Sequence, residues 1–249
     1  MAYDAAVAIR QAEECLSLSD LDPGHLRQLS SLTQTDSFKK WLSEEKCSSL
    51  LIHGNFDQVD GHSPLSYLCA RLVNEYAKME YVAVLHYFCC LQTDRWDPRY
   101  NAAGIMSQMV GQLLANPTLS FNFDLSIVNR RSMKKFRSYD LTHLCKLFLE
   151  LIHQLRHTRV VILCLLDSIS VYETEVLQED TRTLLATLQE LVNSQRRIQR
   201  KKSARIVFKL LVTDASSTKY AYEYFRPDEV LNMHDDLDDG NEDVLEIGA

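Results

Sequence analysis

Leu50-Leu51-Ile52-His53-Gly54-Asn55-Phe56-Asp57-Gln58-Val59-Asp60-Gly61-His62-Ser63-Pro64-Leu65-Ser66 joins an apolar run to the start of a helical pattern. The run from Ser48 to His53 is apolar without clean alternation, which suits a strand buried on both faces of a parallel sheet. A loop bounded by two glycines follows. Beyond it, Leu65, Leu68, Cys69, Leu72, Val73 and Tyr76 recur at helical spacing. Strand, glycine-bounded loop and helix form nearly the shape of a phosphate-binding loop, in which free N–H groups at a helix start hold an anion.

Outward from this unit the alternation continues. Tyr81 to Cys90, Arg159 to Leu166 and Arg205 to Thr213 read as further buried strands, and Val230 to Met233 as a short fifth. Between them, Ile105 to Leu114, Leu141 to Leu155 and Leu184 to Val192 carry helical spacing. The pattern predicts an α/β fold with a mainly parallel sheet flanked by helices. Three short helices are expected ahead of the first strand, over Asp4 to Leu18, Gly24 to Leu32 and Asp36 to Ser43, with Asp22-Pro23-Gly24 as a turn between the first two. The division is therefore a helical preface over 1–46, an α/β domain over 47–233 and an acidic tail over 234–249, expected to be solvated and disordered.

The chain has 249 residues, 46% hydrophobic and 24% charged, so it can bury a core without disulfides or metal. Its seven cysteines form no C-x-x-C pair and sit mostly in apolar segments, reading as reduced core residues of a cytoplasmic protein. The longest apolar run, Val160 to Leu166, is far too short to span a bilayer. The net charge of -7 comes from residues 234–249, which hold seven acids and no Lys or Arg; the rest has 27 acidic against 27 basic residues.

In its ordered pieces the sequence resembles the fungal relatives of the NACHT and STAND P-loop NTPases, in particular the N-terminal NTPase region of nephrocystin-3. The resemblance rests on Phe38-x-x-Trp41-Leu42, Leu50 to Gly54, Tyr87 to Cys89, Gly104-x-Met106-x-Gln108-Met109-Val110-x-Gln112, the helix Leu141 to Leu155, Val160 to Asp167, and Phe208 to Thr213. It implies a P-loop strand near the sheet centre, separated from the Walker B strand by the strand that follows Walker B. It also implies nucleotide-binding positions at Gly54, Gly61, His62, Ser63 and Asp167. A winged-helix region and a repeat array would complete the family's signalling proteins. Neither fits in this length, so the chain reads as a fragment or a reduced stand-alone product.

The departures fall on the residues that an NTPase uses. The P-loop motif places four residues between its glycines and a Lys after the second; here six intervene and His62 takes the Lys position. A mostly neutral, shorter imidazole replaces neither the charge nor the reach. Asp57 and Asp60 would repel a polyphosphate, and Pro64 supplies no N–H. Ser63 and Pro64 make a good helix start, and capping is preferred over Mg²⁺ binding for Ser63. Asp167 aligns with the Walker B acid, or else caps the following turn. Asp167-Ser168-Ile169-Ser170-Val171 lacks the family's further acids, which Glu173 or Glu175 could replace only if the chain were displaced. Leu211-Val212-Thr213-Asp214-Ala215 lacks the Arg that the family often carries after this strand.

His86, Cys89 and Cys90 are weak metal candidates, because neighbouring strand residues point to opposite faces; no metal site and no catalytic residue are expected. His53 and His143 have no evident partner in sequence. Two basic clusters, Arg130 to Arg137 and Arg196 to Arg205, lie between the expected regular elements and read as solvated helix ends or loops. The leading expectation is a non-hydrolysing STAND-like module with no cofactor, serving interaction or regulation. Its partner is an unnamed protein or a second copy, with nucleic acid disfavoured and no membrane. The rivals are a switch binding ATP or GTP with Mg²⁺, aided by Lys46, Arg71 or a partner's cation, and a binder of nucleic acid or an anionic surface through the basic clusters.

Overall fold

The computed structural model describes residues 3–17, 21, 23–56, 63–119, 123–126, 128–200 and 205–233. Five strands, β1 (Ser48–His53), β2 (Val82–Phe88), β3 (Val161–Asp167), β4 (Val207–Asp214) and β5 (Val230–Asn232), form one sheet in the order β2-β3-β4-β1-β5. Every pairing is parallel, with Leu50 opposite Leu211 and Leu165 also opposite Leu211. The first strand thus lies beside the fourth, and the fourth beside the third, as the resemblance implies. All eight residues of β4 are buried, which explains why it reads as a continuous apolar run rather than an alternating one.

Helices cover both faces. On one side lie α1 (Ala5–Leu16), α2 (Pro23–Gln34), α3 (Asp36–Ser43) and α4 (Pro64–Tyr76). On the other lie α5 (Ala102–Ala115), α7 (Leu141–Gln154) and α8 (Gln178–Arg200), with α6 (Arg130–Arg137) packed on α7. Strand side chains alternate between the two cores. Phe208, Leu210 and Val212 enter the α5/α7/α8 core, whereas Leu211 and Leu165 enter the other with Trp41, Leu65 and Cys69.

One polar residue crosses into that second core. Lys209 on β4 is 3% exposed, and its ammonium donates to the carbonyls of Trp41 and Glu44 at the end of α3. Those carbonyls have no partner inside their own helix, and a cation suits that end of its dipole. Trp41 Nε1 donates in turn to the Leu210 carbonyl at 3.1 Å. The helices before β1 are therefore fastened to the middle of the sheet.

Three expectations are corrected. The second strand stops at Phe88, and Cys89–Leu91 is a 3-10 turn. Pro23 and Gly24 open α2 instead of forming the turn before it, since Pro has no N–H to lose in a first helical turn. Arg130 to Arg137 is a helix, not a loop: Asn129 caps it through the N–H groups of Arg131 and Ser132, and Phe136 alone anchors it. Arg196, Arg197 and Arg200 fall in the last turns of α8, which agrees with the helix-end alternative. The tail 234–249 lies outside the described residues.

Candidate functional site

The carboxyl ends of β1, β3 and β4 meet where an α/β sheet binds ligands. After β1 the chain does not turn at once toward α4. Gly54 N–H donates to the Asp214 carbonyl at 2.9 Å and Phe56 N–H to that of Ala215 at 2.7 Å, so the segment keeps running beside the end of β4. Asn55 between them adopts a left-handed conformation, φ 51°. A Cβ on Gly54 would stand 2.5 Å from the Phe56 ring and 2.9 Å from Leu65. The glycine is thus required by its own loop's packing. Gly61 and His62 lie outside the described residues, as do Asp57 and Asp60.

Ser63 is the N-cap of α4. Its hydroxyl accepts from Ser66 N–H at 3.2 Å, Ser66 Oγ accepts from Ser63 N–H at 3.2 Å, and Pro64 takes the first helical position. This reciprocal pair is a capping box. It leaves the Ser66 hydroxyl proton free to reach across to β3.

Asp167, the last residue of β3, receives it. Ser66 Oγ donates to Asp167 Oδ2 at 2.7 Å, Thr213 Oγ1 to Oδ1 at 2.7 Å, and Ser168 Oγ to Oδ2 at 3.0 Å; Cys90 Sγ lies 3.5 Å from Oδ2. The carboxyl group is 1% exposed. Burial, with Cys90 beside it, pushes its pKa up to about 8 against the pull of the three hydroxyls. Desolvation prevails, and among the described residues no cation donates to the carboxylate to offset it. Ser168, next along, is itself buried and left-handed at φ 57°, a conformation that costs a non-glycine residue on the order of 1 kcal/mol.

The neighbouring acids are occupied too. Glu173, 4% exposed, accepts from the backbone N–H groups of Lys219, Tyr220 and Ala221, at 2.9 Å in the case of Tyr220. It therefore binds the segment after β4 and does not stand beside Asp167 as a water-orienting base. Asp214 accepts from Ser170 N–H at 2.8 Å and from the N–H and hydroxyl of Ser216, both at 3.1 Å. His53 lies between Asn232 Oδ1 and Thr218 Oγ1, each 3.0 Å away. None of these partnerships shows in sequence spacing, except that Ser63-x-x-Ser66 carries the form of a capping box.

The cations suggested as substitutes for Lys stand elsewhere. Lys46 precedes β1, at the opposite end of the sheet, 3.8 Å from Glu44. Arg71 pairs with Glu75 at 2.9 Å on the outer face of α4. His86 Nε2 donates to the Ala8 carbonyl at 3.1 Å, and Cys89 and Cys90 enter opposite cores. His143 pairs with Asp140, the cap of its own helix, at 2.9 Å. None of the seven cysteines is in a disulfide, and all are buried. Among the described residues no three His, Cys, Asp or Glu side chains converge as metal ligands do, and no helix is long and apolar enough to cross a membrane.

The arrangement can hold a proton on Asp167 and close the sheet end with its own hydroxyls and amides. Among the described residues, Ser66 and Ser168 already donate to Asp167 Oδ2 and Thr213 to Oδ1. No curated protein is similar enough in sequence to count as a relative. A family model described as nephrocystin 3, N-terminal matches residues 28–213, from α2 to the end of β4. With that match along about three quarters of its length and the parallel order just described, the chain belongs to the nephrocystin 3 N-terminal family.

Proposed function

We propose that this chain is a non-hydrolysing member of its family, a folded interaction or regulatory module that works in the cytoplasm through a protein partner and without a resident cofactor. The observation that carries the reading is the enclosure of Asp167. A Mg²⁺-binding acid must be ionised and open to water or phosphate, whereas this one is buried, held by Ser66 and Thr213, and raised toward neutrality. Pro64 in place of an N–H donor, His62 in place of Lys, and Asp214-Ala215 without an Arg directly after Thr213 point the same way. Titration with labelled ATP and GTP, with and without Mg²⁺, tests it together with a phosphate-release assay. The reading expects no saturable binding and no release above background.

A nucleotide-binding switch is the second reading, favoured by one observation: Asp167 still ends β3 beside the first turn of α4. In that reading the nucleotide would draw Asp167 away from Ser66 and ionise it. Saturable, Mg²⁺-dependent binding lost in Asp167→Ala would select it.

A further inference from the structure

The exposed face of α6 carries a charge that the described fold does not answer. Arg130, Arg131, Lys134, Lys135 and Arg137 stand on eight residues with no acid among them. Lys135 pairs with Asp140 at 3.2 Å. Among the described residues the other four make no ion pair, and all four are exposed. Arg130 and Lys134, like Arg131 and Lys135, are one turn apart, where like charges destabilise a helix. Leu125 and Met133 beside them are 47% and 37% exposed. Such a helix gains stability from any anionic partner laid along it.

We propose that α6 is the docking surface for the acidic segment 235–246 of the same chain. Charge is complementary: seven carboxylates without a Lys or Arg face four unanswered cations, in a chain whose remaining charges balance. Position agrees as well. β5 ends beside the carboxyl end of β1, where Met233 N–H donates to the His53 carbonyl at 2.9 Å. α7 leads into the start of β3, so its first residues, and α6 joined to them through residues 138–140, lie at that same end of the sheet. Tyr139 there shares a small cleft with Arg99, which follows β2.

The second basic cluster is worse placed. The last turns of α8 lead toward the start of β4, at the opposite end, and Arg196 is already committed to Glu229 at 2.6 Å and to the Cys47 carbonyl at 2.7 Å. The reach is sufficient. Four strand spacings from β5 to β2 are about 19 Å, and an extended segment from 234 to 246 spans roughly 43 Å.

Zero-length carbodiimide cross-linking of the full chain, followed by peptide mapping, tests this. The pair Lys135 and Asp140 serves as the internal positive control. The expected result is a link from Lys134 to a carboxylate between Asp235 and Glu246, recovered from monomeric protein and reduced several-fold in about 0.5 M salt, where such attraction is screened. The triple variant Arg130→Glu, Arg131→Glu, Arg137→Glu retains Lys134 and should lose the link. If that variant does not fold, replacing Asp235, Asp236, Asp238 and Asp239 by Asn removes charge outside the described fold and should weaken the links to Glu242, Asp243 and Glu246. Links from the acidic segment to Lys201 or Lys202 but not Lys134, links found only between two copies, or no link at Lys134 while the control forms would each overturn the proposal.

Discussion

Ser66 Oγ donates to Asp167 Oδ2 across 2.7 Å and 101 positions of sequence, joining the first turn of α4 to the end of β3. The bond uses the hydroxyl that the capping box leaves over, so helix initiation and closure of the sheet end depend on the same residue. Ser66→Ala removes both at once. It should lower stability by about 1–3 kcal/mol, the cost of leaving a buried polar group short of a partner, read as a lower melting temperature. Ser63→Ala, which loses the cap alone, should cost about 1 kcal/mol.

The raised pKa of Asp167 sets a pH dependence. Its folded value of about 8 lies above the ordinary 3.8, so the folded state holds the proton more tightly. The resulting stabilisation is fully present below pH 3.8 and is lost as pH rises through about 8. Asp167→Asn cannot titrate. The stability difference between the wild type and this variant should therefore move against the wild type from pH 4 to 8, measured by denaturant unfolding at each pH.

Lys209 gives the opposite slope. Burial depresses its pKa to about 8 from 10.5, so stability from this group is full above pH 10.5 and is lost as pH falls through about 8. Lys209→Met should abolish the rise in stability between pH 8 and 10.5. It should also loosen α3, which loses both contacts to its final carbonyls, seen as faster amide exchange there.

Glu173 carries three backbone N–H groups of the segment after β4. Glu173→Ala leaves all three without an acceptor and should destabilise by at least about 1–3 kcal/mol, the cost of leaving the buried Ala221 donor alone unpaired. Glu173→Gln keeps one acceptor oxygen and should recover part of that loss. A catalytic base would behave otherwise: both variants would abolish activity with little effect on melting.

Sheet order was the part most legible in the sequence. Leu50 to Gly54, Val160 to Asp167 and Phe208 to Thr213 carry the family resemblance, and that resemblance implies β4 between β1 and β3, as found. The internal closure was not legible, because Ser66, Asp167 and Thr213 meet only through the fold and Glu173 binds backbone amides that have no side-chain signature. Helix α6 escaped notice for a different reason. With Phe136 as its one buried residue, it shows no apolar stripe. Pro23-Gly24 reads as a turn because the same residues that break helices also begin them.

The proposed exclusion of nucleotide from the sheet end is read from the melting temperature in millimolar Mg-ATP or Mg-GTP. A ligand that binds only the folded state at a hundred times its Kd adds about 2.7 kcal/mol, which moves the midpoint of a protein this size by several degrees. No shift is expected for the wild type, and none for Asp167→Ala measured against its own baseline. A clear shift in the wild type that Asp167→Ala abolishes would contradict it.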